Sequence, residues 1–264
     1  MEIKIVKASL QEIQLLRELF LNEGNFQFVC NKCHQYGWAG TWLFLRDGTK
    51  IGYGSVWGKD KREDRDTIFE FYLLPPYRKD ASFIFREFQV ACGASYVESQ
   101  SNDALLTLML YEFCQGIFAE AILFKDDVTT NFNVAGIAFR KQAPEDETEG
   151  AGQYVLELNN EIVATGGFVW NYNLPYIDMF YEVKENFRRK GYGSLMTQEL
   201  KKEAYLMSRV PAARCNPDNT ASKLTLLKAG MQICGFRLTG NLKENNLHTG
   251  TNQSSLCIPA LLRT

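Results

Sequence analysis

The chain has 264 residues, 45% hydrophobic and 23% charged, a globular composition large enough for one big domain or two small ones. A formal net charge of −2 gives no general pull towards nucleic acid or an anionic membrane, and no apolar run reaches membrane-spanning length. The N-terminus lacks the basic-then-apolar pattern of a signal peptide, and seven scattered cysteines, an odd number, do not form a secreted disulfide framework, so a reducing cytoplasm is the expected compartment.

Residues 3–6 alternate as a short strand. Ser9 and Glu12 form a capping box, with Ile13, Leu16, Leu19 and Phe20 as the expected buried face of the helix behind it and Gly24 as its stop. Residues 42–45 and 50–57 flank Asp47-Gly48, a strong hairpin signal. The charged run 59–66 reads as a solvated loop, and residues 67–74 as a strand broken by Pro75-Pro76. Residues 81–90 and 105–113 read as helices.

In the second half, residues 133–141 read as a strand and residues 154–170 as a hairpin, with the acidic stretch 144–149 between them. The apolar run 176–183 reads as a buried strand, and Leu195, Met196, Leu200, Ala204 and Met207 then mark one face of a helix. A short strand over 211–216 precedes a helix capped by Asn219 or Asp218, with Ala221, Leu224 and Leu227 as its apolar stripe and Gly230 as its stop. Residues 231–238 form the last strand, and the tail 243–264 has no assigned role.

The two halves echo one another. Gly54-Ser-Val-Trp57 matches Gly167-Phe-Val-Trp170, Phe71-Tyr72 matches Phe180-Tyr181, and Asn102-Asp-Ala104 matches Asn219-Thr-Ala221, at offsets of 109 to 117 residues. Two copies of one domain are expected, 1–130 and 131–264, with the hinge between Asp126 and Gly150. In the second copy the helices that would precede the 154–170 hairpin are shortened or missing, which leaves the first copy to cover that side.

Between the strand 176–183 and its following helix stand Arg188, Arg189, Lys190, Gly191, Tyr192, Gly193 and Ser194. Strand, glycine turn and helix N-terminus present backbone N–H groups and a positive dipole to an anion, and three consecutive cations add to the potential. A phosphate or pyrophosphate is the expected guest. A dinucleotide fingerprint would need a third glycine at Met196, and a P-loop would need its Lys after the glycines. The aligned first-half segment, Arg78-Lys-Asp-Ala-Ser-Phe83, has no glycine and carries Asp80, so the first copy reads as a degenerate scaffold.

Arg188, Gly191 and Gly193, followed by Asn219, Gly230 and Met231, resemble the coenzyme A loop and the following helix of the GNAT superfamily of N-acetyltransferases, over roughly the last half of the chain. The resemblance implies a mixed α/β sheet of the α+β kind in two tandem GNAT-like domains. It implies that pantetheine lies in a splay between the strands at 176–183 and 211–216 and pairs with main-chain groups near Tyr181 and Val183, with pyrophosphate on residues 188–193. The implied cosubstrate is acetyl-CoA, the reaction is direct acetyl transfer to a primary amine, and the acceptor is a small molecule or a peptide. Asp178 and Glu182 share a strand face, and either is a candidate base, although Glu182 can equally balance the nearby cations. Many members carry a Tyr seven residues after the helix-opening Asn as general acid. Here Leu226 stands there, so solvent is the expected proton donor, with Cys215 and Tyr181 the nearest alternatives.

Cys30-Asn-Lys-Cys33-His34 spells a haem-attachment motif, but His248 is the only other histidine and no second Cys pair completes a zinc site. Packed or loop thiols are expected, and no metal, with Cys30, Cys33 and His34 as a substrate-side or metal element the second reading. Trp170, Tyr172 and Tyr176 read first as strand aromatics and second as lining of an acceptor pocket. An acyl-CoA-binding module without turnover, and a protein–protein scaffold with a vestigial loop, are the readings from other classes. No nucleic-acid or membrane partner is expected, and the sequence favours neither a monomer nor a homodimer.

Overall fold

The computed structural model describes residues 2–24, 27, 31–146, 152–170 and 172–243. The first half runs β1 (Ile3–Ala8), α1 (Leu10–Glu23), α2 (Asn31–Gln35), β2 (Gly40–Arg46), β3 (Thr49–Trp57), β4 (Thr67–Leu73), α3 (Ala81–Cys92), β5 (Tyr96–Gln100), α4 (Ala104–Phe113) and β6 (Cys114–Asp126). The second runs β7 (Ile137–Lys141), β8 (Tyr154–Leu158), β9 (Glu161–Val169), β10 (Tyr176–Val183), α5 (Tyr192–Leu206), β11 (Val210–Cys215), α6 (Thr220–Lys228) and β12 (Met231–Leu242). Short 3-10 turns over Pro75–Asp80 and Glu185–Phe187 lead from β4 to α3 and from β10 to α5.

Local signals set the element ends. The Ser9 hydroxyl accepts from the Glu12 N–H while the Glu12 carboxylate accepts from the Ser9 N–H, so the expected capping box starts α1. Asp47 and Gly48 both adopt positive φ, 48° and 82°, as a two-residue hairpin turn between β2 and β3 requires. The expected strand over 133–141 is shorter, beginning at Ile137, and β5 and most of β6 carry no clear sequence signal.

All twelve strands share one sheet, in the order β1-β2-β3-β4-β5-β12-β6-β11-β10-β9-β8-β7. In each half an antiparallel hairpin and a third strand lead through a helix to a parallel neighbour: β4 with β5, and β10 with β11. The matched dipeptides fall at equivalent places, since Gly54 pairs with Phe71 and Gly167 pairs with Phe180. The third match slips by one residue, because Asp103 rather than Asn102 caps α4, whereas Asn219 caps α6. The two halves are not separate sheets. Strand β12 inserts between β5 and β6, and β6 lies between β12 and β11, so each half's last strand pairs with the other half.

Helices α3 and α4 cover one face of the first half over Phe44, Phe71, Phe85, Phe88 and Leu110. Each such fully buried side chain contributes about 1.5–3 kcal/mol by leaving water. Helix α1 covers the opposite face with Ile13, Leu16 and Phe20, but Leu19 is 47% exposed and Arg17 takes its expected place inside. Arg17 can be buried because its guanidinium donates to the buried Glu70 carboxylate at 2.9 and 3.0 Å and to Asn31 of α2 at 2.8 Å. His34 Nε2 lies 3.0 Å from the same carboxylate, so one buried cluster pins α2 to the sheet. In the second half, α5 and α6 cover one face over Phe124, Ile177, Met179, Met196 and Leu200.

Candidate functional site

Strand β10 keeps an unbroken register with β9 from Asp178 to Val183. Its pairing with β11 stops after Asp178↔Ala212. From Met179 onwards, therefore, the β11-side edge of β10 has no ladder partner among the described residues. An extended polar ligand can pair with that edge as a further strand would.

The chain next builds an anion cradle. Arg189 sits at φ 63°, a left-handed conformation that costs a non-glycine residue about 1 kcal/mol or more, and Gly191 follows at φ 89° as the N-cap of α5. No side chain caps that helix. Leu195 is the first N–H to close onto the loop, at the Gly191 carbonyl, and the N–H groups of residues 189–194 have no hydrogen-bond partner among the described residues. These donors, the helix dipole and the exposed Arg189 and Lys190 converge on one point. Arg188 is anchored by its Nε to the Val183 carbonyl at 3.1 Å, and Lys190 Nζ lies 5.0 Å from the centre of the Phe187 ring.

An open cleft of about 790 Å³ joins this cradle to the free edge of β10. Tyr181, Glu182, Val183, Arg188, Arg189, Gly191, Tyr192, Gly193, Ser194 and Asn219 all line it, so every expected cofactor-side residue but Lys190 borders one space. Some of their side chains are engaged within the protein. The Tyr192 side chain is buried in the core, Ser194 Oγ donates to the Thr225 carbonyl at 3.2 Å, and Asn219 Oδ1 accepts from the Ser222 N–H.

The two glycines serve different ends. A Cβ on Gly191 would meet nothing within 4 Å, so its demand is conformational. A Cβ on Gly193 would come within 2.9 Å of Thr225 Cγ2 and 3.2 Å of the Tyr181 ring, so Gly193 lets α5 pack against α6 and Tyr181. The expectation that both glycines simply open the main chain to phosphate is corrected on that ground.

Helix α6 also corrects the sequence reading. Leu224 is 60% exposed on the cleft wall and Leu227 is 38% exposed, whereas Leu226 is 2% exposed and packs inward. The position where a tyrosine acid was sought therefore faces the core. Tyr181 faces the cleft instead, its hydroxyl buried and without a well-formed hydrogen bond. Burial pushes that phenol up, and the neighbouring Ser222 and Thr225 hydroxyls offset part of the push.

Asp178 stands where β10 and β11 part, 4% exposed, on the face opposite α5. Burial raises its carboxyl to about 6, against the lowering pull of the Arg214 guanidinium 3.6 Å away and of the Tyr172 hydroxyl. Glu182 lies on the same strand face but four residues on, about 13 Å along the strand, exposed at the cleft rim. The structure thus separates the two carboxylates that the sequence offered as equivalents.

The first half covers the face that Asp178 occupies. Gln27 donates to the Phe124 carbonyl at 3.0 Å, its side-chain oxygen accepts from Cys234 Sγ at 3.3 Å, and its own carbonyl accepts from the Asn173 N–H at 3.3 Å. Tyr172 and Tyr176 pack there with Leu123 and Ala212, while Trp170 is 57% exposed beneath the Arg209 guanidinium. Cys33 is buried, and His34 is held by Glu70; Cys30 and His248 lie outside the described residues. Among the described residues no helix is long and apolar enough to cross a membrane.

A profile described as the acetyltransferase (GNAT) family matches residues 123–231, the segment that carries both strands and the loop. No curated protein matches the chain. Among solved structures, an acetyltransferase of the GNAT family from Colwellia psychrerythraea superposes with a TM-score of 0.71 at 14% identity, covering 92% of this chain and 100% of that one. A tandem GNAT protein from the clavulanic acid biosynthesis pathway gives 0.56 at 10% identity, covering 91% and 98%. A GCN5-related N-acetyltransferase from Sphaerobacter thermophilus gives 0.56 at 13% identity, covering 90% and 95%. The chain has the GNAT fold across its length, as one mixed α/β assembly around a central sheet.

Proposed function

We propose that this protein is an acyl-CoA-dependent acyltransferase, and specifically that it moves an acetyl group from acetyl-CoA to a primary amine. The observation that carries the reading is the continuous cleft from the unpartnered N–H groups of residues 189–194 to the free edge of β10 at Tyr181 and Val183, beyond the point where β10 and β11 part. Pyrophosphate fits those donors, and a pantetheine amide fits the free edge of β10 near Tyr181 and Val183. Acetyl-CoA supplies a thioester, whose carbonyl carbon takes the amine's lone pair as the C–S bond breaks.

The chain's own groups handle the protons. A protonated amine has no lone pair to give, so Asp178 accepts its proton, directly or through water. A carboxyl raised to about 6 is ionised at neutral pH yet basic enough for that task. Glu182, exposed at the loop end of the cleft, balances the cations there. Tyr181 remains protonated at neutral pH and gives its proton to the departing sulfur, a role the inward-facing Leu226 cannot fill. In this reading Tyr181, an alternative the sequence offered, stands in place of solvent as the donor.

The same reading treats residues 1–130 and 131–264 as two copies of one domain that exchange their last strands, the first degenerate at its loop. The unbridged thiols of Cys92, Cys114, Cys215 and Cys234 suit a reducing cytoplasm. The test is a panel of primary amines offered with acetyl-CoA, with free thiol as the readout. Thiol release that depends on the amine supports transfer. Tight acetyl-CoA binding without release for any amine replaces it with a binding module.

A further inference from the structure

A second cavity, of about 570 Å³, opens on the Asp178 face of the sheet and is built by both halves. Its floor is the centre of the sheet: Glu98 of β5, Arg237 of β12, Glu120 of β6 and Arg214 of β11. Its wall belongs to the first half: Lys32 of α2, Trp38, Trp57 at the end of β3, and Lys59 and Arg62 from the charged loop that follows. Arg214 joins the cavity to the candidate base, since it lines the one and lies 3.6 Å from the other.

The charges are unequal. Arg237 lies between both floor carboxylates, in contact with Glu120 and 3.9 Å from Glu98. Arg214 is balanced by Asp178. On the wall, Lys32, Lys59 and Arg62 add three positive charges against the one negative charge that Arg237 leaves on the floor; Lys59 acts on Glu98 without a close ion pair, and Arg62 forms no ion pair with any described carboxylate. Arg62 and Lys59 are held by rings: Arg62 lies 4.9 Å from the Trp38 ring centre and 5.4 Å from that of Trp57, and Lys59 lies 4.5 Å from that of Tyr96. A guanidinium held by cation–π contact with two indoles keeps its N–H groups for a carboxylate or phosphate, which it can meet with two parallel hydrogen bonds. A run that the sequence alone gives as a solvated loop thus supplies two of the three cations on the wall of this open cavity.

We infer that this cavity receives the acceptor, and that the acceptor is an amine carrying an anionic group, carboxylate or phosphate, bound at Arg62 and Lys59 while its amine reaches Asp178. The word acceptor rests on the transfer reading. The preference for an anion rests on the cavity alone, and the two are tested separately.

Calorimetry on the full chain saturated with CoA measures binding of phosphoethanolamine against ethanolamine, and of β-alanine against propylamine. At least one anionic member should bind about tenfold or more tightly than its neutral partner, as expected of charge-assisted hydrogen bonds to a guanidinium. The tighter arm tells phosphate from carboxylate. Arg62→Glu should remove the preference and leave acetyl-CoA affinity unchanged, and Lys59→Glu, on the same loop, should weaken it. Equal or tighter binding of both neutral amines, or a preference that survives Arg62→Glu, overturns the inference. Thiol release is followed in parallel: anion-selective binding without release refutes transfer and keeps the site, whereas release without selectivity keeps transfer and refutes the site.

Discussion

Helices α3 and α5 begin at equivalent points of the two halves, and their first turns have opposite characters. Before α5, Arg189 and Gly191 take left-handed conformations and leave a fan of N–H groups open to a cleft. Before α3, Pro75 and Pro76 start a tight turn, Asp80 lies 3.0 Å from Arg46, and Ala81 is buried. Arg78, in the place of Arg188, donates to the Leu73 carbonyl at 3.0 Å and is paired with Glu23. Phe71 meets Phe85 edge to face, and Phe85 packs at a tilt on Phe113, where β4 and β5 part. One topology holds a filled core in one half and a binding cleft in the other. The difference lies in a few residues at a turn, which is why a fold likeness alone does not say which half works.

The first half's charges are spent on holding shape, and breaking them should give the largest effect. Burial by itself would raise the Glu70 carboxyl, but Arg17 and His34 beside it hold it well below the ordinary range. Arg17→Ala strands that charge and should cost about 3–5 kcal/mol in a denaturant titration. Because the same cluster pins α2, and Lys32 lines the acceptor-side cavity, the variant's acceptor KM should rise more than its acetyl-CoA Kd. A carboxyl lowered on folding contributes stability above its ordinary pKa of 4.5 and loses it as pH falls below, so the loss in Arg17→Ala should shrink in acid.

In the proposed mechanism the second half's buried carboxylate, Asp178, is the base. Asp178→Asn should lower kcat by ~10²-fold or more with acetyl-CoA affinity intact. In the unaltered protein kcat/KM should rise with pH through about 6 and level above, because the ionised form is the base. Stability should move the other way: the folded pKa lies above the ordinary 3.8, so this group's contribution falls as pH rises between 3.8 and about 6. A flat rate profile together with an active Asp178→Asn would remove it from the mechanism.

A smaller effect sharpens the contrast within the cleft. Leu226→Tyr should lose about 1–3 kcal/mol of stability by overpacking and gain no rate, whereas Tyr181→Phe should lower kcat and leave binding unchanged. A faster Leu226→Tyr enzyme would show that α6 turns that face to the cleft.

Much of this was legible in the residues. The capping box at Ser9, the Asp47-Gly48 turn, the apolar run of β10 and the loop from Arg188 to Gly193 each carry a local signature with a physical cause, and each lies where the sequence puts it. What was hidden depends on partners far along the chain. Strand β6 pairs with β11 and β12, so nothing local in its sequence announces its place. The burial of Arg17 depends on Glu70, which lies 53 residues away. The inward turn of Leu226 depends on how α6 settles against the sheet, which its stripe of Ala221, Leu224 and Leu227 misreports because Ala221 and Leu224 line a cleft and Leu227 is exposed. The role of residues 59–66 emerges only once the second half's face is set against them.

The claim that one half binds and the other does not is tested most directly by titrating acetyl-CoA into the protein and into its Gly191→Asp variant by calorimetry. Any side chain at φ 89° is strained, and a carboxylate there opposes the pyrophosphate. The account predicts roughly one site per chain in the unaltered protein, with affinity in the micromolar range of ordinary ligands, and no measurable binding in the variant. Two sites per chain, or one site that survives Gly191→Asp, would contradict it.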